Sequence, residues 1–187
     1  GDWSADLAIA RELRSSIDLV SNGRMRWTFM SSALPFPFRT ELRSRADRYG
    51  HILLWPNEPK YRVLPPGSLR TAIDEGRVDM TPLVPGTKSG SGAGKRLGEK
   101  TRSVTLESPL AKARLELASI PEASAGGPLL CRAIVELAGI DPSTSECKDD
   151  EVLLFASIDY QGGDGIDLEA TAFTKRTDIT PGDAVCP

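Results

Sequence analysis

Two runs near the C-terminal end, Val152 to Tyr160 and Ile166 to Phe173, constrain the fold more than any other stretch. In the second, Ile166, Leu168, Ala170 and Ala172 alternate with Asp167, Glu169 and Thr171, which places apolar side chains on one face of a strand and polar ones on the other. Gln161-Gly162-Gly163-Asp164-Gly165 joins the runs and supplies the positive-φ residues that a short hairpin loop requires. A chain with this hairpin builds an antiparallel sheet around it and must cover the apolar face.

Other segments follow from their periodicity. Trp3, Leu7, Ala10, Leu13, Ile17 and Val20 recur at three- and four-residue steps, which predicts a helix over 4–20, capped by Asp2 or Ser4 and stopped by Asn22-Gly23. Met25, Trp27 and Phe29 alternate with Arg24, Arg26 and Thr28 as in a half-buried strand, and Pro35 and Pro37 forbid regular structure after it. A short helix is expected over 40–49, strands over 51–55 and 61–64, and a strand over 78–84. Residues 68–75 fit a helix through Leu69, Ala72 and Ile73 or a strand through Leu69, Thr71 and Ile73; the helix, ended by Gly76, is preferred. After a strand over 101–107, the stretch 110–120 alternates unbroken for seven residues, which favours a hairpin strand over the helix that Leu110, Ala113, Leu117 and Ile120 would also permit. Pro128 opens a helix that runs from Leu129 to Leu137 and ends at Gly139.

These elements predict an α+β fold, helices packed on a mainly antiparallel β-sheet. At 187 residues the chain is expected to form a single compact domain. The stretch 85–95 holds four Gly and no large apolar side chain; it reads as a flexible loop or linker and marks where the domain would subdivide. No apolar run approaches the ~18–20 residues that a membrane-spanning helix needs, so no transmembrane segment is expected. A chain beginning Gly1-Asp2-Trp3, with neither Met nor an apolar leader, fits a trimmed mature protein as well as an excised piece of one. Residues 1–100 hold 16 Lys and Arg against 11 Asp and Glu, whereas 101–187 hold 7 against 15. The split fits a basic face for an anionic partner, two halves that attract each other, or charges that are simply solvated.

Cys131, Cys147 and Cys186 match no zinc spacing, and His51 is the only histidine. Cys147 in a polar loop and Cys186 on the tail suit an oxidising compartment, where a Cys131–Cys147 bridge would tie a helix to the loop after it and a bridge to Cys186 would pin the tail. Periplasmic or extracellular localisation is the expectation, with the cytoplasm as the alternative.

Motifs with chemistry are few. Gly92-Ala93-Gly94-Lys95 lacks the first Gly and the Ser or Thr of a phosphate loop, whose positions hold Ser89 and Arg96. Gly162-Gly163-Asp164-Gly165-Ile166-Asp167 matches the start of a calcium-binding nonapeptide, but one copy cannot stack on a neighbour. A lone calcium site from Asp159, Asp164 and Asp167, joined by Asp149 or Glu151, is the sole cofactor candidate. His51 opens an apolar run and reads as a satisfied strand residue; a dyad with Cys131 is disfavoured because that thiol sits in an apolar helix.

Arg24, Arg26, Arg39, Arg43, Arg45 and Arg48 are interleaved with Trp27, Phe29, Phe36, Phe38 and Tyr49, a pattern that binds anions or stacks on single-stranded nucleic acid. Glu41 and Asp47 interrupt it and the pI is about 5.3, so nucleic acid is not the expected partner. Arg39, Arg43, Arg45 and Arg48 are the expected contacts to an anionic partner, and Trp3, Trp55 and Tyr61 are candidates for holding a carbohydrate or peptide. The leading expectation is a non-catalytic binding or structural module, exported, with a protein, peptide or glycan ligand. A carboxylate- or metal-dependent enzyme using Asp159, Asp164 and Asp167, and a cytosolic protein contacting nucleic acid, are the alternatives.

Overall fold

The computed structural model describes residues 10–12, 14–31, 34–144 and 146–174. It holds two sheets rather than one, with two short helices. The five-stranded sheet is a meander of β2 (Ser15–Val20), β3 (Arg24–Phe29), β4 (Glu41–Arg45), β5 (His51–Leu54) and β6 (Tyr61–Leu64), in that spatial order. The six-stranded sheet runs β1 (Ala10–Glu12), β11 (Gly165–Glu169), β10 (Glu151–Tyr160), β9 (Ala111–Ser119), β8 (Glu99–Glu107) and β7 (Thr87–Arg96). Every pairing is antiparallel except β1 with β11. The expected α+β arrangement is therefore corrected: the architecture is β-sandwich-like, and its helices are α1 (Leu69–Glu75) and α2 (Pro128–Leu137).

Helix α2 explains how two sheets share one interior. Nine of its ten residues are buried, and it contacts β10 of one sheet, β3 of the other, and α1. A helix that is apolar nearly all round belongs inside a core. One cluster accordingly joins Met25, Trp27, Phe29 and Leu42 of the five-stranded sheet to Leu106, Leu115, Leu117 and Ile158 of the six-stranded sheet, with Leu129, Ile134 and Leu137 of α2. A bulge between Leu153 and Phe155 lets Leu153 face this core while Val152 and Leu154 join Ala118, Ile120 and Ala123 in a second, smaller cluster.

Several expected elements fall where the residues predicted them. β3, β5, β6, α1, β8, the strand reading of β9, α2 and the β10–β11 hairpin all form. The helix expected over 4–20 does not: its described part is strands β1 and β2, and residues 1–9 lie outside the described set. Ile17 pairs with Trp27 and Leu19 with Met25, so the apolar residues follow a two-residue step to match β3. Asn22-Gly23, expected to stop a helix, lies in the hairpin turn instead, with Gly23 at φ 87°. The helix over 40–49 is β4, in which Leu42 and Ser44 point inward and Glu41, Arg43 and Arg45 outward. The strand over 78–84 is absent apart from one bridge between Val84 and Ile140. The stretch 85–95, expected as a flexible loop or linker, holds most of β7, which pairs along β8.

Two glycines test this packing. A methyl at Gly126 would sit 2.2 Å from the Val20 carbonyl oxygen, where the turn Pro121–Gly126 is pressed on β2, whereas a methyl at Gly162 meets nothing within 4 Å. Gly126→Ala should lower stability by about 1–3 kcal/mol and Gly162→Ala should stay within about 0.5 kcal/mol of the parent, read from urea unfolding midpoints.

Candidate functional site

The outer face of the five-stranded sheet carries the arginines singled out in the sequence. Register puts Arg24 directly opposite Arg45, and Arg26 opposite Arg43, on β3 and β4. Like charges in opposed positions destabilise a sheet, so the pairs need carboxylates nearby. Asp18 accepts two hydrogen bonds from Arg26, at 2.7 and 2.9 Å. Glu41 accepts from Arg43 at 3.0 and 3.1 Å. Asp47 accepts from Arg24 at 3.1 Å and from Arg45 at 2.6 and 2.8 Å, and these guanidinium groups hold its carboxyl far below the usual carboxylate range. Arg39 and Arg48 are exposed and pair with no carboxylate among the described residues; Arg39 lies over the Phe38 ring, 5.7 Å from its centre.

Next to the arginines the same face turns apolar. Arg43 neighbours Ile52, which neighbours Val63; Glu41 neighbours Leu54, which neighbours Tyr61. Tyr61 and Val63 are 57% and 58% exposed, while Ile52 and Leu54 are half-buried. At the other side of the face a shallow pocket of about 500 Å³ is bordered by Ser16, Arg26, Thr28, Arg39, Glu41 and Asn57. The face thus offers guanidinium groups, hydroxyls and an apolar strip on a rigid surface. Its aromatic component is smaller than the sequence pattern implies: Trp27, Phe29 and Phe36 point into the core, while Phe38 is exposed. Trp55 is half-buried under Lys60 and Arg62, at 4.6 and 5.8 Å from its ring centre, and Trp3 lies outside the described residues.

A cleft of about 1110 Å³ lies between β2 and the ends of β10 and β11. It is walled by β2 and by side chains such as Leu19, Leu130, Leu154 and Leu168, with no His or Cys. Among the described residues, Ser44, His51 and Glu136 come together in the interior, and the place is sealed. Ser44 Oγ is 2.6 Å from His51 Nδ1, and His51 Nε2 is 3.0 Å from Glu136 Oε1. The order Ser, His, Glu resembles a hydrolytic triad, yet Ser44 is 0% exposed and His51 and Glu136 are 2% exposed, so no substrate reaches them. Glu136 Oε1 also accepts from the Tyr49 hydroxyl at 2.9 Å, and Oε2 accepts from the backbone N–H of Gly67 at 3.2 Å and Leu69 at 3.3 Å. Burial first, then the neighbouring Glu136, pushes the Tyr49 hydroxyl well above its ordinary range. The network fastens α2 to β5 and to the start of α1. The expectation of a satisfied strand histidine at His51 agrees with this geometry. Its partner Glu136 escaped sequence reading; the available signal was a lone carboxylate in the helix Leu129 to Leu137, whose only other charged residue is Arg132.

The other candidates separate. Cys131 and Cys147 are disulfide-bonded, their Cα atoms 5.6 Å apart, and Cys186 lies outside the described residues. The bonded Cys131 is also 0% exposed, which leaves no thiol to pair with His51. Asp159, Asp164 and Asp167 do not form a ligand set: no group of three or more His, Cys, Asp or Glu stands at metal-binding spacing among the described residues. Asp164 Oδ1 accepts from its neighbour Gly165 N–H at 2.8 Å, Asp167 pairs across from Ser157, and Asp159 is exposed on β10. Glu151 is taken by Arg102, with contacts of 2.6 and 2.7 Å. No helix among the described residues is long and apolar enough to cross a membrane. Compared with known protein families, curated proteins and solved structures, the chain matches none.

Glu136→Ala leaves four buried donors without an acceptor and should cost about 3–5 kcal/mol in chemical denaturation. Without reduction, protein purified from an oxidising compartment should show Cys131 and Cys147 protected from alkylation by intact mass, and Cys147→Ser should cost about 3 kcal/mol in the same unfolding assay.

Proposed function

We propose that the chain is a non-catalytic binding module that works outside the cytosol and docks a protein ligand on the outer face of its five-stranded sheet. The observation that carries this reading is the continuity of exposed Tyr61 and Val63 with the paired arginines of β3 and β4 across one rigid face. Tyrosine and arginine are enriched in protein interfaces, where a flat apolar strip excludes water and guanidinium groups select for carboxylates. Residues 15–64 carry eight Lys and Arg against four Asp and Glu, which favours an acidic surface on the ligand. Among the described residues, exposed Arg39 and Arg48 have no internal carboxylate to give up. The Cys131–Cys147 disulfide supports an oxidising compartment, because such bonds are rare where thiols are kept reduced.

The test uses a photo-crosslinking side chain placed at Tyr61 or Val63, and separately at Ser157 on the six-stranded sheet, in protein made in its native host. The expected outcome is one partner captured from positions 61 and 63 and not from 157, with capture reduced at least fivefold by Arg39→Glu combined with Arg48→Glu. Equal capture from both faces, no capture at 61 and 63, or capture untouched by the charge reversal would overturn the reading. Retention on a sulfated polysaccharide column that is lost in the double variant, without protein capture, would replace the protein ligand by a glycan.

A further inference from the structure

β7 is a ten-residue strand in which nine residues are exposed. It is the last strand of its sheet, hydrogen-bonded on one side to β8. Its other edge presents alternate N–H and C=O groups with no backbone partner among the described residues. Natural sheets normally blunt such an edge with proline, a short strand, a covering loop or charged side chains; on β7 the charges stand only towards its ends, at Lys88, Lys95 and Arg96. Here Gly90, Gly92 and Gly94 face one side and Ser91 and Ala93 the other, so no large side chain stands in the way of an approaching strand.

Charge decides which strand fits. In the antiparallel register that overlaps all ten residues of two copies, Lys88 of each lies opposite Lys95 of the other, a repulsive arrangement repeated twice. Lys95 already stands directly opposite Lys100 across the β7–β8 hairpin, and neither has a carboxylate partner among the described residues. Lys88 does have one, Glu146 at 3.7 Å. On the face that carries Lys95 and Lys100 the unpaired positive charge is therefore at the hairpin end of the edge, with Glu99, opposite Arg96, on the other face. A second copy is disfavoured, and a strand bearing a carboxylate at that end is favoured. On the glycine side a partner side chain can lie across Gly94 towards Thr101, whose hydroxyl is buried without a hydrogen-bond partner and would be 3.1 Å from a methyl at Gly94.

We propose that the free edge of β7 adds an extended strand from a partner protein, one that carries an acidic residue beside Lys95 and Lys100. This surface is separate from the arginine face, and either assignment stands without the other. Backbone pairing supplies the affinity and the carboxylate sets direction and register. The test is a synthetic ten-residue peptide of alternating Thr and Val with an Asp near one end, made with the Asp near either terminus. Binding is followed by fluorescence anisotropy and by amide hydrogen exchange of the full chain. The expected result is slowed exchange at Gly90 to Lys95, at least tenfold weaker binding when the Asp becomes Lys, and loss of binding when alternate peptide amides are N-methylated. Lys95→Glu combined with Lys100→Glu, changes confined to exposed side chains, should invert the preference between the Asp and Lys peptides. Equal binding of the N-methylated peptide, indifference to the Asp-to-Lys change, protection away from β7, or no binding of either peptide would overturn the proposal.

Discussion

A single carboxylate sets how the two layers of this fold meet. Glu136 projects from a helix buried on almost every side, and a buried charge is tolerated only when its lone pairs are taken. Tyr49, His51 and the N–H groups of Gly67 and Leu69 take them. The consequence is directional: apolar packing alone would let α2 slide or rotate between the sheets, whereas four fixed donors give it one position. Tyr160 adds a further tie, its hydroxyl donating to the Leu137 carbonyl oxygen at 2.6 Å. The disulfide then secures the first turn of the same helix to the loop leading to β10.

The outer faces obey a different rule. On the five-stranded sheet, arginines placed opposite arginines are held by Asp18, Glu41 and Asp47; on the six-stranded sheet, Arg96 binds Glu116 and Glu169 while resting on the Phe155 ring. Exposed pairs of this kind contribute little each to stability. Their effect is to hold long side chains in order on a flat surface, so that a partner meets an already organised array.

How much of this was legible depended on whether a strand's alternation was written in apolar and polar residues. β9 and β11 alternate, β10 does so beyond its bulge, and β3 sets Met25, Trp27 and Phe29 against Arg24, Arg26 and Thr28. β4 buries Ser44, which a hydropathy reading assigns to the surface, because His51 on the neighbouring strand supplies its partner. In β2 the apolar residues Ile17 and Leu19 are only half-buried and also fit a helical spacing, and only their pairing with Trp27 and Met25 of β3 resolves the ambiguity. β7 has no hydropathy signal at all: its strand conformation comes from hydrogen bonding to β8, a contact that composition does not encode. The outward arginines were visible as a cluster, but their opposition in register, and the apolar strip beside them, needed the strand pairings. Glu136 was legible only as the lone carboxylate of a mostly apolar helix.

The pairing of β1 with β11 also orders events in time. Ala10 lies opposite Gly165, so the six-stranded sheet gains its last member only when the two ends of the described chain come together. The five-stranded meander closes through neighbouring hairpins and local turns, each joining strands adjacent in sequence. Loops that long form slowly compared with hairpins. On a ribosome the arginine-bearing sheet can therefore assemble while β11 is still unmade, and its apolar inner face waits for α2 and the second sheet to arrive.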